Sequence, residues 1–257
     1  MPAVLALLDQ GGALTALRRG LAGTGTPLVA CRTPAALAAA VRQRWVDAIV
    51  LGVRQAPKVG LSVFREQFPA IPLLAYGLFR ADDAGLLLSW QRLGLAAVVV
   101  AGVDDPVVGD LVVRHAASAI RRRALREAPH LLRLTEPIQL QAWEILLEQP
   151  GARLSTAGVA ERLGVSREHL SRQFGAGGAP NLKRVVDCLR IMAVAELAAN
   201  PGYDRHAVSR LAGYTSPGHL EGACRRVTGL GLGELAGQDP AAVLGRFMRV
   251  GMRSRGG

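Results

Sequence analysis

Val159-Ala160-Glu161-Arg162-Leu163-Gly164-Val165-Ser166-Arg167-Glu168-His169-Leu170-Ser171-Arg172-Gln173-Phe174 is the stretch that decides how this chain is read. It spells two short helices meeting at a tight turn. Small Ala160 lets the helices cross closely, Gly164 supplies the turn, Val165 plugs the gap and Ser166 caps the second helix. Leu170 and Phe174 stand four apart and share one face. At about 100° per residue, Glu168 and Arg172 lie opposite that face, with His169 and Ser171 flanking. A helix with this outer face fits a DNA major groove, where an arginine can grip guanine O6 and N7 with both ends of its guanidinium.

The plan recurs about fifty residues later, over Val208–Cys224. Gly213 is the turn glycine, Tyr214 the plug, Thr215-Ser216 the hydroxyl cap, and Leu220 with Cys224 the core pair. Pro217 stands where a first helical turn accepts it. Between the copies, Asn181–Ala199 reads as one amphipathic helix, capped by Asn181 and ended before Asn200-Pro201-Gly202. Its roughly 19 residues span on the order of 28 Å, which suits two recognition helices about 34 Å apart, one DNA turn.

Two such units joined by a long helix resemble the DNA-binding domain of AraC-type transcription factors, over roughly residues 136–236. Gly213-Tyr214-Thr215-Ser216-Pro217 falls at that family's second turn, and Leu189-Arg190 at its linker-helix arginine. The resemblance implies base-facing roles for Glu168, His169, Ser171 and Arg172, and in the second unit for Pro217, Gly218, His219, Glu221 and Gly222. Arg167, Thr215, Ser216, Arg225 and Arg226 complete the candidate DNA-contacting set. The chain departs from the family pattern in the second unit. Gly218 and Gly222 offer no side chain to a base edge and cost roughly 1 kcal/mol each against alanine. Glu221 would face phosphate, Cys224 replaces a phenylalanine, and Leu232 stands where proline is frequent. The first unit is therefore expected to carry sequence readout, and the second to hold the DNA backbone through Arg225 and Arg226.

Upstream, apolar runs recur about every 22–25 residues: Ala3–Leu8, Leu28–Cys31, Ala48–Leu51, Leu73–Tyr76 and Ala96–Ala101. Each is short enough for a buried strand and precedes a helical pattern. Thr33-Pro34 and Asp105-Pro106 each read as a cap and first turn; Val59–Phe68 and Ala81–Leu93 give weaker helices. Strands alternating with helices predict a parallel sheet covered on both faces, a doubly wound three-layer α/β domain. An all-α double helix-turn-helix domain follows it.

The strand rhythm over residues 1–125 resembles a response-regulator receiver domain with a flavodoxin-like order. Such a domain needs a pair of acids after the first strand and an acceptor aspartate ending the third. Here the first strand ends Leu8-Asp9-Gln10, with one acid, and the third ends Val50-Leu51-Gly52, with glycine at the acceptor position. The fourth ends Ala75-Tyr76-Gly77 and the fifth Val100-Ala101-Gly102, without the family's hydroxyl and Lys-Pro. Glycine has no oxygen nucleophile, and one carboxylate holds magnesium poorly. A pseudo-receiver that is not phosphorylated by the usual chemistry is expected. It would serve as a dimerisation scaffold, or as a sensor of a small molecule or protein effector at the strand ends.

The chain has 257 residues; half are apolar and 20% are charged, which excludes wholesale disorder. Its net charge is +11, almost all arginine because Lys58 and Lys183 are the only lysines. The halves 1–130 and 131–257 carry +6 and +5, so charge alone does not place a polyanion. Cys31, Cys188 and Cys224 are far apart and form neither a disulfide framework nor a zinc site. Gly11-Gly12 and Gly23-Thr24-Gly25 complete no nucleotide motif, and the five histidines (115, 130, 169, 206, 219) are scattered, so no enzyme and no cofactor are expected. The apolar start reads as a strand rather than a signal peptide, and no run reaches a membrane span; a cytoplasmic protein without a membrane partner is expected.

Residues 1–128 are thus expected to form the pseudo-receiver, 129–238 the DNA-binding domain, and 239–257 a basic tail, in which Arg246…Arg249…Arg253…Arg255-Gly256-Gly257 follow an apolar helix-like stretch from Ala241. Pro106 to Arg126 reads as a continuous helix whose Arg121-Arg122-Arg123…Arg126 run is a solvated end. Thr135 with Pro137 starts a helix over Ile138–Leu147 whose apolar positions include Leu140, Trp143 and Leu147. The expected partners are double-stranded DNA, a second copy of the chain and RNA polymerase. The alternative is an interaction module derived from such a regulator that has lost DNA binding, as the glycines at 218 and 222 suggest.

Overall fold

In the computed structural model, residues 2–9, 11–148 and 155–253 are described. They fall into two compact units, residues 1–120 with 200–202 and residues 121–199 with 203–257. The first unit runs β1 (Ala3–Leu7), α1 (Gly11–Leu21), β2 (Leu28–Ala30), α2 (Pro34–Gln43), β3 (Val46–Leu51), α3 (Ala56–Val59), α4 (Leu61–Gln67), β4 (Leu73–Gly77), α5 (Ala84–Arg92), β5 (Ala97–Val100) and α6 (Val108–His115). All neighbouring strands pair parallel, in the order β2-β1-β3-β4-β5, which is the flavodoxin-like order. Every residue of β1 and β3 is buried, as a sheet covered on both faces requires. Val4, Ala6, Ala48, Val50, Leu74 and Tyr76 pack against α1 and α6. Their period-two neighbours Leu5, Leu7, Ile49, Leu51 and Leu73 are equally buried on the opposite face.

The five expected strands are all present, and Thr33 caps α2 by accepting the Ala36 N–H at 3.1 Å. Three local expectations fail for identifiable reasons. The helix after β3 is split at Gly60, which takes a left-handed conformation (φ 64°). Asp105 caps no helix: its Oδ1 accepts the Tyr76 hydroxyl at 2.6 Å and the Gly102 N–H at 2.8 Å, and α6 starts later, at Val108. The continuous helix from Pro106 to Arg126 is broken at extended Ala116, where α7 (Ala117–Ala124) begins. There the buried Asp47 of β3 accepts the Ser118 N–H at 2.8 Å and the Ser118 hydroxyl at 2.7 Å.

The second unit is helical throughout its described residues: α8 (Ala128–Leu131), α9 (Pro137–Glu148), α10 (Thr156–Arg162), α11 (Arg167–Phe174), α12 (Leu182–Ala198), α13 (Arg205–Leu211), α14 (Pro217–Thr228), α15 (Leu232–Leu235) and α16 (Pro240–Arg253). Its spine is α12, which touches α10, α11, α13, α14, α15 and α16. An amphipathic stripe would bury one side; α12 instead buries 11 of its 17 residues, among them Val185, Leu189, Ile191, Met192 and Val194. The stretch expected as a basic tail is α16 up to Arg253. It buries Val243, Leu244 and Phe247 and sets Phe247 under the Arg184 guanidinium, 5.4 Å from the ring centre. Gln10 and Arg255-Gly256-Gly257 lie outside the described residues. Arg121 is also not solvated: it is buried and paired with Glu196 on α12.

α1 and α6 cross at two glycines. A Cβ on Gly20 would stand 2.7 Å from the Gly109 nitrogen, and a Cβ on Gly109 would overlap the Gly20 carbonyl. Backbone-to-backbone packing this close has no side chain that could yield. Gly109→Ala is therefore expected to destabilise the first unit by about 1–3 kcal/mol, despite alanine's better helix propensity. Urea unfolding followed by circular dichroism checks this; an unchanged midpoint would contradict the contact.

Candidate nucleic-acid interface

Both helix-turn-helix units are built from the residues the sequence singles out. In the first, Gly164 is left-handed (φ 65°), and the Val165 N–H closes the turn on the Ala160 carbonyl at 3.1 Å. Ser166 then accepts the His169 N–H at 3.1 Å and starts α11. In the second, Gly213 is left-handed (φ 76°), the Tyr214 N–H closes on the Ser209 carbonyl at 2.8 Å, and Ser216 accepts the His219 N–H at 3.2 Å. The bonds match position for position, except that the second turn holds one more residue before its cap. This turn geometry disfavours a Cβ at the left-handed position, and glycine stands there twice.

The buried faces are also those expected. Leu170 and Phe174 are fully buried beneath α11, and Leu220 and Cys224 beneath α14. Burial pushes the Cys224 thiol up to about 12, so it acts as a small apolar plug rather than a nucleophile. On the outer side, Arg167, Glu168, Ser171 and Arg172 are exposed and His169 is half-buried. In the second unit Thr215, His219, Arg225 and Arg226 are exposed, and Ser216 is half-buried. Thr215 Oγ1 and His219 Nδ1 lie 2.6 Å apart, which fixes the imidazole over the start of α14. At the positions that answer Glu168 and Arg172, Gly218 and Gly222 leave the outer face bare; no atom stands within 4 Å of a Cβ placed on Gly222.

Glu221 does not face outward as expected. Its Oε2 accepts the Leu232 N–H at 3.1 Å, and its Oε1 accepts Arg225 Nε at 3.0 Å. These bonds hold its carboxyl below the usual carboxylate range, the Leu232 N–H first and Arg225 second among the stabilising contacts. The glutamate thus ties α14 to the start of α15, and it explains Leu232: proline there would have no N–H to donate. Arg225 is correspondingly half-engaged within the protein, whereas Arg226 projects freely from the last turn of α14.

One residue that positions the first helix-turn-helix was not singled out by its sequence. Gln139 is completely buried at the start of α9. Its Oε1 accepts the Thr135 and Glu136 N–H groups at 2.8 and 3.0 Å. Its Nε2 donates to the Phe174 carbonyl at 2.9 Å and shares its hydrogens with those of Ala176 and Gln173 at 3.2 and 3.3 Å. The amide therefore caps α9 and fastens the end of α11 to it. Leu140, expected in the core, is exposed instead. The phase of Ala142, Trp143 and Leu146 runs back to 139, and that phase is the signal that could have found it.

At the strand ends of the first unit, the space beside Gly52 is closed. A Cβ on Gly52 would stand 2.5 Å from Asp9 Oδ2, which already accepts the Arg54 N–H at 2.9 Å. Asp9 fills the space that a side chain at position 52 would use. Among the described residues no cluster of three metal-binding side chains occurs.

No protein-family profile matches the chain, and no curated protein resembles it significantly in sequence. Solved structures that resemble it include full-length FixJ from B. japonicum, 15% identical over 98% of each chain with a TM-score of 0.39. An adenylate cyclase from Rhodopirellula baltica is 15% identical over 52% of this chain and 98% of that one, at a TM-score of 0.37. RcsB from Salmonella enterica serovar Typhimurium, bound to promoter rprA, is 14% identical over 67% of this chain and 88% of that one, at 0.34. Likeness this remote assigns no residue and no activity; the fold rests on the strand order and helix packing above.

Gln139→Leu keeps the volume but strands two N–H groups and the carbonyls at the end of α11. Each unsatisfied buried group costs about 1–3 kcal/mol. The variant is expected to lower the stability of the second unit by about 2 kcal/mol or more, read as a fall in its thermal midpoint. An unchanged midpoint would mean that water replaces the amide.

Proposed function

We infer that this chain is a sequence-specific, DNA-binding transcription regulator. Its second unit works as an AraC-type double helix-turn-helix, and its receiver-like first unit is not switched by phosphoryl transfer. The observation that carries this reading is the face of α11. Leu170 and Phe174 are sealed into the unit while Arg167, Glu168, Ser171 and Arg172 stand in solvent on a helix capped and turned for groove entry. Arg172 reads a base edge, most simply guanine O6 and N7. Arg226, and Arg225 to a lesser degree because Glu221 holds it, neutralise phosphates. The protein acts by equilibrium binding. A second copy of the chain, paired through the first unit, would double the contacted half-sites, and RNA polymerase is the downstream partner such a regulator addresses.

The bare outer face of α14 supports a division of labour in which α11 selects and α14 holds. The same bareness favours the second reading, an interaction module in which the paired hooks no longer bind DNA. Selection of genomic fragments by the full chain, followed by salt-dependent anisotropy, separates the two. A regulator gives a steep salt dependence and strong discrimination against unrelated DNA, and an interaction module gives neither.

Arg172→Ala is expected to weaken binding to selected DNA by about 1–3 kcal/mol and to relax base choice at one position. An unaltered affinity would remove Arg172 from its role. Incubation with a small-molecule phosphodonor and magnesium is expected to leave the first unit unmodified by intact-mass measurement. A gain of one phosphoryl group on Asp9 would refute the pseudo-receiver reading.

A further inference from the structure

The ends of β1 and β4 and the loops after β3 and β4 enclose a cavity of about 200 Å³, lined by Asp9, Ala13, Arg54, Tyr76, Leu78 and Arg80. It lies at the carboxyl ends of the strands, where open α/β sheets receive ligands. Its lining departs from that of a cation site, with two guanidinium groups against one carboxylate. Arg54 is pinned: its Nη1 and Nη2 donate to the two oxygens of Asp83 at 2.6 and 3.1 Å. Asp83 is buried, and its Oδ2 also accepts the Arg80 N–H at 2.9 Å. These contacts, the Arg80 N–H first, hold the Asp83 carboxyl below the usual carboxylate range. One acid thus fixes both the Arg54 guanidinium and the backbone that carries Arg80. The Arg80 side chain is exposed, and its charge also acts on Asp83. Opposite the arginines, Ala13, Leu78 and the Tyr76 ring make an apolar wall. The Tyr76 hydroxyl gives its proton to Asp105, so it offers a ligand no donor. Asp9 uses Oδ2 for the Arg54 N–H and keeps Oδ1 as an acceptor.

We propose that this cavity binds a small organic carboxylate with an apolar body and a hydrogen-bond donor beside the carboxylate, as in an α-amino or α-hydroxy acid. The carboxylate pairs with the exposed Arg80 guanidinium, a charge-assisted contact, beside the Arg54 guanidinium that Asp83 holds in place. The apolar body covers Ala13 and Leu78, and the donor reaches Asp9 Oδ1. The volume is below the roughly 300–1,000 Å³ of sites for drug-sized ligands, which restricts the ligand to a small metabolite. Gly52 has no oxygen nucleophile and Asp9 fills the space beside it, which suits the site to recognition rather than to group transfer. The proposal does not rest on the DNA-binding reading.

Calorimetric titration of the full chain, without DNA, with three probes sharing one branched body tests this. The probes are L-leucine, 4-methylpentanoate, which lacks the amine, and 3-methylbutylamine, which lacks the carboxylate. Both acids are expected to saturate, leucine more tightly, and the amine to show no binding. Arg80→Gln, at an exposed position that leaves the Asp83 contacts intact, is expected to weaken leucine about tenfold or more. Asp9→Asn, which keeps an acceptor for the Arg54 N–H, is expected to weaken leucine but not 4-methylpentanoate. The proposal is overturned if neither acid saturates, if the amine binds as the acids do, or if Arg80→Gln binds leucine as the parent does. Equal affinity for the two acids would overturn the part assigned to Asp9.

Discussion

The second unit depends on one constraint: α12 has no solvent side to spare. Six helices lean on it, and its Val, Leu, Ile, Met and Ala residues fill the contacts on several faces. A helix in that position must be apolar nearly all round, and everything attached to it inherits its rigidity. Both turn-and-cap units pack against this rod. The outer faces of α11 and α14 are therefore presented by a common core rather than by loops. Sites carried on packed helices hold their geometry better than sites on loops.

A few buried polar side chains do the local fixing that apolar packing cannot. Gln139 satisfies backbone groups of two segments at once, and Asp47 fixes the start of α7 by capturing Ser118. Glu221 joins α14 to α15. Each works because an unpaired buried N–H or carbonyl is costly, so a single side chain with the right acceptors dictates where a helix begins or stops. At the strand ends of the first unit the same logic has a functional result. Asp9 takes the Arg54 N–H across Gly52, Asp83 takes the Arg54 guanidinium, and the space left is lined by two arginines and one acid.

Much of this was legible in the residues. The five apolar runs gave five strands, because a sheet covered on both faces needs unbroken apolar segments. Gly164 with Ser166, and Gly213 with Ser216, gave both turns and both caps, because those signals are local: a left-handed turn and a hydroxyl accepting an N–H three residues on. What was misread had non-local causes. Asp105 looked like a cap until Tyr76 claimed it, and Arg121 looked solvated until Glu196 paired with it. The last helix was legible as an apolar stretch from Ala241, but that Val243, Leu244 and Phe247 are buried, with α12 and α14 beside the helix, is visible only in the structure.

The sequence by itself determined the strand count, the two hooks and which face of each hook is buried. Those follow from period, turn residues and caps, which act over a few positions. Only the tertiary structure decided the break at Ala116, the inward turn of Glu221 and the closure of Gly52 by Asp9. The reason is that each of these is a competition for one hydrogen-bond partner or one small volume between residues far apart in the chain, and sequence spacing carries no information about which competitor arrives.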